Sequence, residues 1–555
     1  EKFRKEQEAI KVAEEKKAKQ EAAAKAAEEK KNRELAEKKA AEEKKAREVA
    51  AKKAEKEKRL QEENTRNASQ KARKDIENSI AEGKKLLEQG NVDGAIKAFE
   101  KAESLLPEDD KLYSGEKLGE IANALYEASE KSSGEQKKQL EKLSGEKALA
   151  AIARNPGDPN ALFVAGMDAI TKRNLSGAEE YLMNAIAKNP TNYMYYYQLG
   201  RVLAMQKKYD KSLNAFQSCV KLNDRFAPAY YNSGYVSEQS GKKQDALSYY
   251  RKATEVNPSH ENAHIGQGHI FMEMKKYDEA MKAFTKAQGI NPNRSQIYQE
   301  LGSCCVEQKK YAEAENYFKK ALTCPDVSKE KNALTYYNLA TVMYEQNKKT
   351  EALDYAKKAY DSKDRTEKSV KSNIVYVYGL VVQDGGRDDE AIKIYNEGLL
   401  IDSSHVKTNT NLGVLYLKKN RAPEAVVVLT NAYNAESGNF EVNNNLGSAY
   451  RQIKDFKKSA EHYKKALAVN PKDMTVKQNL ARSYASAEDF KNAKIVYQDL
   501  IKTEPSKWDH WLELARVCIS QDDKTTAAAC LDHLKKNAPS FHSDEVNAMM
   551  TELGF

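Results

Sequence analysis

No run of apolar residues in this 555-residue chain approaches the ~18 needed to cross a bilayer, so the residues present supply no membrane span. No two cysteines are spaced C-x-x-C, and the six of them (Cys219, Cys304, Cys305, Cys324, Cys518, Cys530) do not lay out a disulfide framework. They read as small buried apolar residues, and reduced thiols point mildly to the cytoplasm. There is no phosphate-cradling P-loop, no G-x-S-x-G elbow, no H-E-x-x-H and no EF-hand loop. The eight histidines are scattered, and His260/His264 is the one pair at the i, i+4 spacing that metal ligation on a helix requires. In the register given below, His260 falls in a loop and His264 at a packing position. No catalytic centre, metal or cofactor is expected.

Residues 1 to about 63 lack both glycine and proline and consist mostly of Lys, Glu and Ala, strong helix formers. Glu precedes a base by four residues repeatedly, as at Glu15/Lys19, Glu29/Arg33, Glu43/Arg47 and Glu55/Arg59. Each such pair supports a helix by ~0.2–0.5 kcal/mol. The large apolar residues, Phe3, Ile10, Val12, Leu35, Val49 and Leu60, make no sustained heptad seam, so the reading is a solvated single helix and not a strong coiled coil. At ~1.5 Å per residue it reaches roughly 90 Å. It is either a stiff spacer or a partly frayed charged tail. The net charge of +9 is concentrated here: residues 1–75 hold 25 Lys and Arg against 18 Asp and Glu, and the remaining 480 hold 67 against 65. A near-neutral remainder argues against a nucleic-acid partner.

Asn64-Thr65-Arg66-Asn67-Ala68-Ser69 weakens the pattern and reads as a joint or a soft spot. Residues 76–158 hold one isolated repeat-like unit, marked by Gly83, Ala95, Phe99, Ala102 and Pro107. Irregular helices follow, two of them separated at Ser132-Ser133-Gly134. From Pro159 a 34-residue step sets in. Its eighth positions are Gly166, Gly200, Gly234, Gly268, Gly302, Ala340, Gly379, Gly413, Gly447, Ala481 and Ala515. That makes eleven units over 159–541, with insertions near Cys324–Lys331 and Asp361–Val370. Residues 542–555 read as a capping helix, begun by a capping Ser543 and two acids.

Small residues at the eighth and twentieth positions, an aromatic or Leu at the twenty-fourth and Pro near the thirty-second resemble the tetratricopeptide repeat (TPR) family. The resemblance implies an all-α fold: a right-handed α-solenoid of TPR helix pairs, here preceded by a long charged single helix. It also implies a non-catalytic scaffold whose first helices line a concave groove for a protein or peptide. By register the groove takes Phe163, Tyr197, Tyr231, Ile265, Tyr337 and Tyr376 at the fifth position. Asn232, Asn338, Asn411, Asn445 and Asn479 stand at the sixth; Arg201, Tyr235, His269, Arg482 and Arg516 at the ninth; Arg451 at the twelfth. Asn offers donor and acceptor to a peptide bond, and the run Asn411, Asn445, Asn479 is similar to the asparagine ladder of O-GlcNAc transferase. Asn-Leu-Gly as ordinary repeat consensus is the competing reading. No unit from Pro159 onward carries the Lys and Asn of the chaperone-tail clamp. The Lys/Glu/Ala stretch resembles the TolA-type segment of envelope proteins, which implies a membrane anchor ahead of Glu1 and a periplasmic location; without one the cytoplasm is expected. A structural subunit of a membrane-linked assembly, working through its convex face or edges, is the alternative function.

Overall fold

A computed structural model describes residues 1–326 and 332–554, and they form helices with no β-strand among them. The first helix, α1 (Lys2–Glu88), is followed by α2 (Val92–Ser104), α3 (Lys111–Lys131) and α4 (Gly134–Arg154). The repeats begin with the pairs α5 (Pro159–Thr171)/α6 (Leu175–Lys188) and α7 (Tyr193–Met205)/α8 (Tyr209–Leu222). Next come α9 (Ala227–Gln239)/α10 (Lys243–Val256), α11 (Glu261–Glu273)/α12 (Tyr277–Ile290) and α13 (Ser295–Glu307)/α14 (Tyr311–Ala321). After them stand α15 (Asn332–Glu345)/α16 (Lys349–Asp361), α17 (Lys368–Asp384)/α18 (Asp388–Ile401) and α19 (Val406–Lys418)/α20 (Ala422–Ala435). The last pairs are α21 (Phe440–Gln452)/α22 (Phe456–Val469), α23 (Met474–Ser486)/α24 (Phe490–Thr503) and α25 (Trp508–Ser520)/α26 (Lys524–Asn537), with α27 (Ser543–Glu552) at the end. The chain divides into two compact parts, Glu1–Asn232 and Ser233–Phe555. The insertion expected near Cys324–Lys331 falls largely outside the described residues; the one near Asp361–Val370 contains a short 3-10 turn, Lys363–Arg365.

Three expectations about the ends are corrected. The soft spot at Asn64–Ser69 is no joint: α1 runs unbroken through it, because two Asn, one Thr and one Ser cost less than the helix gains from good formers on both sides. The helix is exposed throughout to Lys71; then Ile76, Ile80 and Gly83 turn inward. Its last turns are thus the first helix of a pair with α2, and a Cβ on Gly83 would stand 2.4 Å from the Phe99 ring. Ile121 and Leu125 of α3 and Leu140 of α4 close the same core, so the entry is a longer helix pair and not an irregular stretch. Of the predicted Glu–base pairs on α1, Glu43–Arg47 closes at 3.1 Å and Glu55–Arg59 at 2.8 Å. At the other end, His542 (φ 45°) precedes α27 as its cap and Ser543 lies inside the helix, because the left-handed turn places the chain one residue earlier than the sequence suggests. Val546 buries against the core that contains Leu531 and Leu534.

The marks of the repeat act as one contact. The twentieth-position residues Ala178, Ala246, Ala280, Ala314 and Ala493 have no exposed surface, which lets the second helix lie close to the first. Ser212 and Ser459 take that place in two repeats, and each hydroxyl donates to the carbonyl of the eighth-position glycine, Gly200 at 2.7 Å and Gly447 at 2.8 Å. The ring at the twenty-fourth position then fills the space a side chain would occupy at the eighth. A Cβ on Gly268 would lie 2.4 Å from Phe284, and one on Gly379 2.5 Å from Tyr395.

Two further devices recur without a fixed residue type. At the fifteenth position the turn between paired helices takes φ near +60° in repeat after repeat, at Arg173, Lys207, Lys275, Lys309, Asn347, Asn420, Lys454, Glu488 and Asp522, and at Gly241 and Gly386. This left-handed conformation costs an L-residue about 1–2 kcal/mol. The exposed Lys309→Gly should therefore stabilise the protein by roughly 0.5–1 kcal/mol, after the added freedom of glycine in the unfolded chain is subtracted. A denaturant midpoint that falls instead would show that the lysine makes a compensating contact. At the fourth position a donor reaches back six residues to hold the turn between repeats. His264 Nε2 donates to the Pro258 carbonyl (3.0 Å), Tyr298 Oη to Pro292 (2.9 Å), Asn409 Nδ2 to Ser403 (2.9 Å), Asn443 Nδ2 to Ser437 (2.8 Å) and Trp511 Nε1 to Pro505 (2.9 Å). That contact accounts for the buried His264. His260 accepts from the Ala263 amide at 3.2 Å as the cap of α11.

Candidate functional site

First helices of successive repeats touch one another, as α15 does α17, α17 does α19, and α19 does α21. The fifth, sixth, ninth and twelfth positions of these helices are those predicted to share a face, and each compact part holds some of them.

In the first part, Tyr197, Arg201 and Asn232 come together. Asn232 Nδ2 donates to Tyr197 Oη at 3.2 Å, and the Arg201 guanidinium lies 5.9 Å from the Tyr197 ring centroid while donating to Gln198 Oε1 at 2.8 Å. Tyr197 is half-buried, edge-on to Phe226 at 4.9 Å, and burial pushes its hydroxyl pKa up against the pull of Arg201. Tyr231 is half-buried. Phe163, predicted for the same face, is 6% exposed and packs between Tyr126 and Tyr195, so it belongs to the core. A cleft of about 860 Å³ lies beside α1 and α3. Its Glu120 is held by Lys84 at 2.6 Å and Lys117 at 3.2 Å; burial raises that carboxyl, and the two lysines more than offset it.

The second part carries the rest. Tyr235 is exposed at 47%. Tyr337, Asn338 and Tyr376 are half-buried, while Ile265, at 5% exposure, is core. His269 meets Glu300 at 2.9 Å, and that hydrogen bond raises its pKa over the lowering by burial. The three asparagines of the ladder are all half-buried but differently engaged. Asn411 Nδ2 donates to Tyr395 Oη at 3.3 Å; burial pushes the hydroxyls of Tyr395 and Tyr376 up, and hydrogen bonding to Asn411 opposes it. Asn479 Oδ1 accepts from Arg451 at 3.4 Å. Asn445 has no side-chain hydrogen bond among the described residues. An amide has two donor hydrogens and two acceptor lone pairs, so Asn411 and Asn479 each retain capacity. Arg482 is exposed and has no carboxylate within ion-pair distance among the described residues. Arg516 differs from its counterparts: Glu513 holds it at 2.8 Å, and Glu545 of α27 closes over it.

Sequence reasoning missed a ladder of bonds between neighbouring repeats. The thirteenth position of one repeat bonds the seventeenth of the repeat before: Lys243–Glu273 (3.0 Å), Tyr277–Glu307 (3.1 Å), Lys349–Asp384 (2.7 Å) and Asp388–Lys418 (2.6 Å). The signal was present as acids at Glu273, Glu307 and Asp384, but its partners change type from one junction to the next. No group of three or more His, Cys, Asp or Glu side chains that could hold a metal ion occurs among the described residues, and no helix there is long and apolar enough to cross a membrane.

Tetratricopeptide repeat families match residues 181–214, 231–295, 333–363, 440–473 and 479–540. A family described as regulator of microtubule dynamics protein 1-3 matches residues 269–336. None of these matches falls on the Lys/Glu/Ala-rich stretch. No curated protein matches the chain. Among solved structures, a MamA protein is 25% identical over 32% of this chain and 93% of its own, with a TM-score of 0.29. A tetratricopeptide repeat protein from Parabacteroides merdae is 19% identical over 46% and 98%, with a TM-score of 0.36. Pseudomonas aeruginosa pilF is 17% identical over 37% and 90%, with a TM-score of 0.32.

Proposed function

Because the chain is a tetratricopeptide repeat protein, we propose that it is a non-catalytic interaction scaffold that holds an extended peptide along the first-helix face of its repeats. The observation that carries this reading is the asparagine row Asn411, Asn445, Asn479. The three amides recur at one repeat position, half-buried, with donors and acceptors to spare. A peptide bond presents the complementary acceptor and donor, so the row can grip a backbone with little regard for side chains. Tyr337 and Tyr376 supply flat, partly buried surface beside it.

The test is selection of random unstructured peptides displayed on phage against the whole protein and against Asn411→Ala/Asn445→Ala/Asn479→Ala. Each lost amide contact removes about 0.5–1.5 kcal/mol, so peptides recovered by the wild type should bind the triple variant at least roughly tenfold more weakly. Undiminished affinity would remove the ladder from the account.

A further inference from the structure

The first-helix face of the second part changes sign along its length. Taking the second, fifth, ninth, twelfth and thirteenth positions, the four repeats opening at Glu261, Ser295, Ala333 and Ser372 carry the acids Glu273, Glu307, Glu345 and Asp384 and no Lys or Arg. The three that follow, opening at Val406, Phe440 and Met474, carry Lys407, Lys418, Arg451 and Arg482 against the single acid Glu441. Much of the acidic stretch is already spent on the stack, since Glu273, Glu307 and Asp384 bond Lys243, Tyr277 and Lys349. The basic stretch is spent only in part, and Arg482 meets the Tyr497 hydroxyl rather than an acid. Lys418 pairs with Asp388, but Arg451 and Arg482 have no carboxylate within ion-pair distance among the described residues; Arg451 donates only to the neutral Asn479, at 3.4 Å. The protein itself shows what a guanidinium at this position accepts. One repeat beyond Arg482, the ninth-position Arg516 receives Glu545, a carboxylate brought in by the next helix laid against the face.

Resting on the peptide-binding reading above, we propose that the repeats opening at Phe440 and Met474 take the acidic segment of an extended peptide, one carboxylate on Arg482 and another on Arg451. Asn445 and Asn479 hold the backbone between them. Arg presents a planar fork that fits a carboxylate through two parallel hydrogen bonds, and Lys does not. A nucleic acid would offer anions too, but its phosphate chain would continue toward Glu307, Glu345 and Asp384, and those repeats carry no compensating base at the same positions.

The experiment is the same phage selection with the residue composition of the recovered peptides as its readout, on the whole protein and on Arg451→Glu/Arg482→Glu. Circular dichroism and the denaturant midpoint confirm that the variant is folded; Arg482→Glu alone, at an exposed position, serves if the double variant is not. Wild type should enrich Asp and Glu, and the charge-reversed variant should enrich Lys and Arg. A fluorescein-labelled acidic peptide from the selection should bind Arg451→Lys/Arg482→Lys at least roughly tenfold more weakly, the size of lost charge-assisted hydrogen bonds. Peptides recovered without acid enrichment, or a preference indifferent to charge reversal, overturn the acidic partner and leave the peptide-binding reading standing. No recovery of peptides at all overturns both. A single-stranded DNA oligonucleotide that displaces the labelled peptide at equal concentration overturns its assignment to a peptide.

Discussion

Replacing Phe284 by alanine should lower the stability of its region by about 3–5 kcal/mol, the cost of deleting a buried ring whose cavity cannot collapse. The ring has no exposed surface and fills the space left by the missing side chain of Gly268, with the His269 imidazole against it at 5.7 Å. The backbone of α11 cannot move in to close the void, because its position is set by the neighbouring helix pairs. In a stacked array each repeat contacts only its neighbours, so the loss is local. Hydrogen exchange should accelerate most in α11, α12 and α13 and little in α25 and α26. Uniform acceleration, or an unchanged denaturant midpoint, would contradict this account.

Gly266→Val should destabilise through the opposite fault. Tyr250 is flanked on two sides by glycines: a Cβ on Gly234 would lie 2.6 Å from one edge of its ring, and a Cβ on Gly266 2.6 Å from the other. The ring is 2% exposed and its hydroxyl donates to Glu238 at 2.6 Å, so it cannot swing aside without giving up that bond. Overpacking of this kind costs ~1–3 kcal/mol, and a β-branched residue sits at the upper end because its rotamer in a helix is nearly fixed. Adding Tyr250→Leu to the same chain should recover part of the loss. Strict additivity of the two substitutions in thermal unfolding would mean that the side chains do not meet.

How far the sequence could be read depends on whether a task is tied to one residue type. The contact of the eighth, twentieth and twenty-fourth positions requires a small residue against a ring, so Gly268, Ala280 and Phe284 announce themselves by identity and spacing. The left-handed turn at the fifteenth position is filled by Arg173, Asn347, Glu488 and Gly241 alike, because the surrounding hydrogen bonds impose it and the side chain only tolerates it. The hook at the fourth position accepts His, Tyr, Asn or Trp, since any donor of the right reach will do. No periodicity of residue type betrays either. The face was legible as a set of positions, but not which of its members are already engaged. Arg516 lies in perfect register with Arg482, yet Glu545 reaches it from a helix after the last repeat. Phe163 and Ile265 keep the register and lose the exposure; Tyr126 and Tyr195 close over Phe163.

The absence of a joint in α1 has a mechanical consequence. A flexible linker would let the two ends it connects wander over a broad volume independently. Here the same helix that packs Ile80 and Gly83 against α2 continues outward for about 70 residues, roughly 105 Å. The heading of that arm is set by the seating of its own last turns, and a torque applied near Phe3 is delivered to the core around Phe99 as through a lever arm. A Gly-Pro pair inserted at Asn67-Ala68 would turn the lever into a hinge while leaving every buried contact of α2, α3 and α4 in place.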